Sequence, residues 1–251
     1  MTAAAPPSHL ARHDGLRLAY RLRAGAGPTL VFLPGYASDM QGSKALALDD
    51  WARRQGRALL RLDYSGNGES DGAFADGTLD RWRDDALLLI DQLTTGPLVI
   101  IGSSMGGWIA LLVALARPAR VHALVGIAAA PDFTEWDFDE ARRAILLRDG
   151  RIGEPSLYSD APLHTYRGFW ESGQRHLLLD DTIAIDCPVR LLHGRQDEDV
   201  PWVIAIRTAD ALRSADVHAI LVKDGDHRLS REQDLALLIA TIEALPPPEP
   251  A

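Results

Sequence analysis

Cysteine is almost absent from this sequence: Cys187 is the one thiol in 251 residues. No internal disulfide can form, so the core alone must hold the fold, and a reducing compartment suits it. Cys187 precedes Pro188 at the entrance to an apolar run and reads as a small buried apolar residue. Cations are also in short supply. Lys and Arg number 26 against 35 Asp and Glu, a formal net charge of -9. That balance argues against a nucleic-acid partner, because phosphate binding needs clustered Lys and Arg, and it favours solubility. No apolar run approaches the roughly 18 residues that a membrane helix requires. The opening MTAAAPPSHLARHDG has neither the basic start nor the apolar stretch of a secretory leader, and too few arginines for a mitochondrial transit peptide. A cytoplasmic, bacterial-type location is expected, with residues 1–8 as a loose tail. No His or Cys pair stands at ligand spacing on one element, so no metal is expected.

What is present is an ordinary globular composition, 47% hydrophobic and 24% charged. The length suits a single domain over 1–251. Short apolar runs, Thr29–Leu33, Ala58–Leu62, Leu98–Ile101, Ala123–Ile127, Val189–Leu192 and Val217–Val222, read as strands buried on both faces. Residues 16–23, LRLAYRLR, alternate polar and apolar and suggest an antiparallel edge strand. Helices are expected from a Thr78 cap to Leu93, over Met105–Arg117, from Pro201 to Arg213, and over 230–245. Alternating strands and helices predict an α/β fold with a doubly wound, mostly parallel sheet. Ligands of such sheets bind beyond the carboxyl ends of the strands. Residues 131–181 break the rhythm with Phe133, Trp136, Phe138, Tyr158, Tyr166, Phe169 and Trp170. This stretch is expected to form a helical lid insertion, or a surface insertion with its own small core. Trp136, Tyr166 and Trp170 are candidate substrate-binding residues in an apolar acyl pocket.

Gly102-Ser103-Ser104-Met105-Gly106 is a G-x-S-x-G pentapeptide between an apolar strand and a helix. In that setting a sharp turn exposes the serine hydroxyl above the sheet, with small flanking residues letting the chain through. Without the setting it is only a glycine-rich turn. A serine nucleophile needs a base, and the base an orienting acid. Two loops follow strand ends in the order acid, then base: His193-Gly-Arg-Gln-Asp197-Glu-Asp199-Val-Pro201 and Lys223-Asp-Gly-Asp-His227. Asp197 competes with Glu198, Asp199 and Asp132 for the acid. Asp199 reads as a loop or capping carboxylate, and Asp132 follows an earlier strand. Of the histidines, His227 alone follows the final strand. His9 and His13 precede the core strands, His122 and His218 stand at strand starts, His164 and His176 fall in the insertion, and His193 suits a structural hydrogen bond. Oxyanion donors are expected from the backbone N–H of Met105, after the serine, and of Tyr36 in Pro34-Gly35-Tyr36. Asp63-Tyr-Ser-Gly66-Asn-Gly68 lacks phosphate-loop spacing and reads as a glycine-rich turn near the site.

The stretches PGYASDMQGSKALAL, RLDYSGNGESDG, GSSMGGWIALLVALARP and CPVRLLHGRQDEDVPW, with DHRL near the end, resemble the α/β-hydrolase superfamily. Within it they resemble the palmitoyl-protein thioesterases that also act as acyl-glucuronide esterases. The resemblance runs over about Leu30–Leu245 and is weakest at 131–180. It implies the α/β-hydrolase fold, a Ser104–Asp197–His227 triad, and cofactor-free hydrolysis of carboxylic esters or thioesters through an acyl-enzyme. The partner would be a small acyl substrate or an acylated protein. Acyl transfer or perhydrolysis on the same triad, and a non-catalytic hydrolase-fold binding protein, are the alternatives.

Overall fold

The computed structural model describes residues 6–154 and 162–248. In chain order the elements are β1 (Ser8–Ala11), β2 (Arg17–Arg23), β3 (Ala26–Leu33), α1 (Ser43–Gln55), β4 (Arg57–Leu62), α2 (Leu79–Leu93), β5 (Leu98–Ser103), α3 (Met105–Ala116), β6 (Val121–Ile127), α4 (Phe133–Trp136), α5 (Glu140–Asp149), β7 (Arg151–Glu154), β8 (Leu163–Tyr166), α6 (Arg167–Gln174), β9 (Val189–Gly194), α7 (Val203–Ala211), β10 (Val217–Val222) and α8 (Glu232–Glu243). Eight strands form one sheet in the order β1-β2-β4-β3-β5-β6-β9-β10. Its first two pairings are antiparallel, and all pairings from β4 to β10 are parallel.

Strand pleating explains why these runs are apolar throughout. Successive side chains face opposite sides. Val31, Leu33, Leu60, Leu62, Leu98 and Ile100 enter one core with α2 and α3. Leu30, Phe32, Leu59, Val99 and Ile101 enter the other with α1 and α8. Thr78 caps α2 as expected, its hydroxyl accepting from Arg81 N–H at 3.1 Å. Helix α3 is buried on nearly every face, as its all-round apolar sequence requires.

The chain fills the parallel sheet from its middle. From β3 it passes through α1 to β4 on one side, then through α2 back across β3 to β5 on the other. The direction of winding therefore reverses between β3 and β5. A crevice opens where the connections at their carboxyl ends diverge.

Several expectations are corrected. Ser8 is not tail but the first residue of β1, paired with Tyr20; residues 1–5 lie outside the described range. The edge strand is therefore β1, and β2, read as the edge, is interior. Helix α7 is shorter than Pro201–Arg213. Its approach is a tight turn, Ile204 N–H donating to Pro201 O, and its end is pulled into pairing with Ile183. Helix α1 was not foreseen, although Ala45, Leu48, Trp51 and Ala52 carry helical spacing. Of the 131–181 insertion, residues 155–161, with Tyr158, lie outside the described range. The remainder holds α4, α5, the β7–β8 hairpin and α6. Its own small cluster of Phe138, Leu146 and Ile152 fits the second of the two readings.

Trp82 is buried at the meeting of the body and the insertion. Its indole N–H donates to Ser65 O at 2.9 Å, and its ring lies against Tyr36, Tyr64, Phe74 and Phe169. Trp82→Ala is expected to lower unfolding free energy by about 3–5 kcal/mol. Urea titration checks this; a loss under about 1 kcal/mol would mean the cluster repacks around the gap.

Candidate active site

The turn between β5 and α3 is the sharpest feature of the site. Ser104 sits at φ 54°, ψ -122°, a left-handed backbone that a non-glycine residue adopts only when its surroundings enforce it. Here Ser104 N–H donates to Ile127 O at 2.9 Å, and Ser104 O accepts from Gly107 and Ala130 N–H at 2.8 and 3.1 Å. Gly106 is required by space. A Cβ there would stand 2.2 Å from Leu33 O and 2.5 Å from Pro34 O, so any side chain would force α3 away from the end of β3.

The acid and base loops are laced together past β9 and β10. Arg195 N–H donates to Val222 O and Gln196 N–H to Gly225 O, each at 2.8 Å. Gly194 permits the approach, since a Cβ there would meet Gly225 O at 2.3 Å. This lacing delivers Asp197 and His227 to Ser104. His227 Nδ1 lies 2.9 Å from Asp197 Oδ2, and His227 Nε2 lies 3.2 Å from Ser104 Oγ. Asp197 fixes the tautomer: an ionised carboxylate only accepts, so Nδ1 carries the proton and Nε2 turns a lone pair toward the hydroxyl.

The Asp197 carboxyl is fully buried. Burial alone would raise its pKa. Contacts from His193 and His227, with the Val200 amide, outweigh it and hold the group well below the usual carboxylate range. Val200 and Asp199 N–H donate to Oδ1 at 2.8 and 3.0 Å. Asp197, Asp199 and His227 bring possible metal-ligating atoms within 4.8 Å of one another. His227 Nδ1 and both Asp197 oxygens are already engaged by the hydrogen bonds above.

Asp132, the competing acid, does something else. Its carboxylate accepts from Leu178 N–H at 2.9 Å and Leu179 N–H at 2.7 Å. It thereby anchors the returning end of the insertion to the end of β6. Burial pushes its pKa up despite those bonds.

A cavity of about 240 Å³ opens beside Ser104 and His227, walled by Gly35, Tyr36, Ser38, Asp39, Ser43, Lys44 and Arg228 among others. It lies at the crevice between β3 and β5. Tyr36 belongs to its wall, and Met105 begins α3, whose first N–H groups have no intrahelical acceptor. The Tyr36 ring is held by Phe74, Trp82, Phe133 and Phe169 at 4.9–6.1 Å, and its hydroxyl donates to His164 O at 2.9 Å. Trp136, Tyr166 and Trp170 are not part of this wall. The Trp136 indole donates to Pro131 O and the Trp170 indole to Thr134 O. The Tyr166 ring lies near Phe74 and His164. Instead the wall includes Lys44 and Arg228. Burial pushes the Lys44 ammonium down to about 8, and Lys44 Nζ donates to Arg228 O at 2.5 Å. Lys44 went unread because α1 was not anticipated.

Palmitoyl-protein thioesterase ABHD10, mitochondrial, of Homo sapiens is 41% identical over 95% of this chain and 79% of its own length. The structure of α/β-hydrolase domain-containing protein 10 from mouse superposes with a TM-score of 0.89 at 41% identity, covering 95% of this chain and 97% of that one. The chain belongs to this α/β-hydrolase family. A profile described as serine aminopeptidase, S33, matches residues 26–147. A crystal structure of an Agrobacterium vitis S4 protein named as a hydrolase gives TM-score 0.89 and 40% identity, over 96% of this chain and 99% of that one. Fold class and family thus agree with the resemblance carried by the sequence motifs. Among the described residues no helix is long and apolar enough to cross a membrane.

The two carboxylates separate by function. Asp197→Asn lets the amide stabilise the wrong imidazole tautomer, and kcat is expected to fall about 10³–10⁴-fold with the fold intact. Asp132→Asn should instead lower thermal stability and leave kcat within about threefold of wild type, since it weakens hydrogen bonds to a charged acceptor away from the serine. Steady-state kinetics beside thermal melts checks both; a crippled Asp132→Asn with an active Asp197→Asn would reverse the assignment.

Proposed function

We propose that this hydrolase cleaves acyl esters and thioesters through an acyl-enzyme on Ser104. The observation that carries the reading is the relay Ser104 Oγ–His227 Nε2–Asp197, at 3.2 and 2.9 Å, on a backbone strained to present the serine. Ser104 Oγ bonds to the acyl carbon while His227 Nε2 takes its proton. The carbonyl oxygen becomes an oxyanion that accepts from the Tyr36 and Met105 N–H groups; one such donor is typically worth about 3–4 kcal/mol of barrier. Collapse breaks the bond to the leaving oxygen or sulfur, which departs with the His227 proton as an alcohol or thiol. Water then attacks the Ser104 ester, giving its proton to His227. The second collapse releases the carboxylic acid and returns the proton to Ser104. Asp197 remains ionised and offsets the imidazolium charge at each stage.

Thioesters come first among substrates because relatives 41% identical over nearly the whole chain are named palmitoyl-protein thioesterases. The cavity, about 240 Å³ with Ser38, Asp39, Ser43 and Lys44 in its wall, suits the reacting head of a substrate. It falls below the roughly 300–1,000 Å³ of ordinary ligand pockets, so a long acyl tail would extend past it. The mammalian relatives are named mitochondrial, and a 40% identical structure is bacterial. A bacterial cytoplasm remains our reading of its compartment.

The test is a panel of oxygen esters and thioesters of rising acyl length, assayed with wild type and Ser104→Ala. Wild type is expected to turn over both classes, with Ser104→Ala folded and at least about 10³-fold slower. A fluorophosphonate should label wild type at Ser104. Undiminished hydrolysis by the folded alanine variant overturns the proposal. A kcat/KM higher for palmitoyl than for butyryl thioesters assigns the relatives' substrate to this chain, and the reverse order assigns short acyl groups. Acyl products on added alcohol or peroxide would mark transfer rather than hydrolysis.

A further inference from the structure

We propose that His193 is a positioning residue for the acid, a second imidazole that holds Asp197 ionised and aimed at His227. This rests on the reading of Asp197 and His227 as acid and base. His193 is the penultimate residue of β9 and is completely buried. Its Nε2 faces two acceptors, Val200 O at 2.9 Å and Asp197 Oδ2 at 3.1 Å. Neither can donate, so Nε2 carries the proton. The other ring nitrogen, Nδ1, is buried and has no hydrogen-bond partner. A proton there would be buried with nothing to accept it, so the N–H is the one turned to the acid loop.

The contacts close a ring. His193 Nε2–H donates to Val200 O, Val200 N–H donates to Asp197 Oδ1 at 2.8 Å, and Asp197 Oδ2 lies against the same His193 nitrogen. His193 thus acts twice. It fixes Val200, whose amide holds one carboxylate oxygen. It also places a positive N–H edge beside the other oxygen, the one His227 uses. Both effects favour the carboxylate over the carboxylic acid. Among the described residues, the charged and titratable groups near the pair include Asp137, which interacts with Asp199. His227 approaches from the loop after β10, and Asp199 shares the acid loop. Lys44 and Arg228 line the cavity together with His227.

An acid stripped of this contact becomes more basic and grips the imidazolium more strongly. The sign follows: without His193, His227 stays protonated to higher pH. His193→Phe removes the N–H and keeps an aromatic ring in the space. His193→Gln keeps an N–H near the Nε2 position, whereas His193→Asn carries its amide near Nδ1, short of Val200. The experiment measures kcat/KM against pH for the four proteins, with the His227 imidazole titration followed by NMR in each. For His193→Phe and His193→Asn the acid limb and the titration should both move up by about half a unit to one unit. A one-unit move is about tenfold lost on the acid side and recovered at alkaline pH. His193→Gln should bring both back toward wild type.

An unmoved limb in folded His193→Phe and His193→Asn, with activity lowered equally at all pH values, overturns the proposal and leaves His193 a structural residue. A shift in His193→Gln as large as in the other two also overturns it. If His193→Phe fails to fold, the Gln and Asn pair makes the same comparison. The NMR titration needs no substrate. Hydrolysis that ignores Ser104→Ala would sink the proposed function, while the titrations would still judge His193.

Discussion

Close passage of α3 beneath the end of β3 is the constraint on which this molecule's site depends. Gly106 lies where any Cβ would strike Leu33 O and Pro34 O. That contact, with Ile127 O and the Ala130 and Gly107 amides, holds Ser104 at φ 54°. The same contact sets the start of α3 beside the Pro34–Tyr36 loop. The serine, the Met105 amide and the Tyr36 amide are therefore products of one packing event. Relieving the strain at Ser104 would require α3 and β3 to separate, and both sit in the larger core.

A second dependence runs through burial of charge. Asp197 is out of water, where a bare carboxylate is costly. Amides of Val200 and Asp199, with two imidazole edges, offset that cost. The acid loop is consequently ordered by its own charge, and it is ordered toward His227. Asp132 uses the same physics for a different end, its buried carboxylate gathering the Leu178 and Leu179 amides. Similar burial thus gathers imidazoles as well as amides in one place and only backbone N–H groups in the other.

The aromatic residues link the insertion to the site at one remove. Tyr36 stands in the cavity wall and packs its ring against Phe74, Trp82, Phe133 and Phe169. Phe133 and Phe169 come from the insertion. Its packing therefore bears on the Pro34–Tyr36 loop without its tryptophans entering the cavity wall. Substrate contact was expected of Trp136, Tyr166 and Trp170; the two indoles instead donate to the carbonyls of Pro131 and Thr134, and the Tyr166 ring lies near Phe74 and His164.

Local pattern determined much of this protein. Continuous apolar runs gave a sheet buried on both faces, because only parallel strands between helices need apolar side chains in both directions. The elbow was legible in Gly102–Gly106, since a tight turn leaves its mark as small residues at fixed spacing. The positions of Asp197 and His227, in loops after β9 and β10, were legible from the strand pattern. Tertiary structure decided the rest. Asp132 and Asp197 look alike in sequence, each following a strand, and only the hydrogen bonds that reach them separate their roles. Lys44 entered the cavity wall because the winding reverses between β3 and β5, which turns the start of α1 toward the serine. Ser8 became sheet because Tyr20 was there to pair with it. Spacing along the chain encodes turns and faces, but the partner of a buried charge or an aromatic ring comes from another part of the chain, and only folding brings the two together.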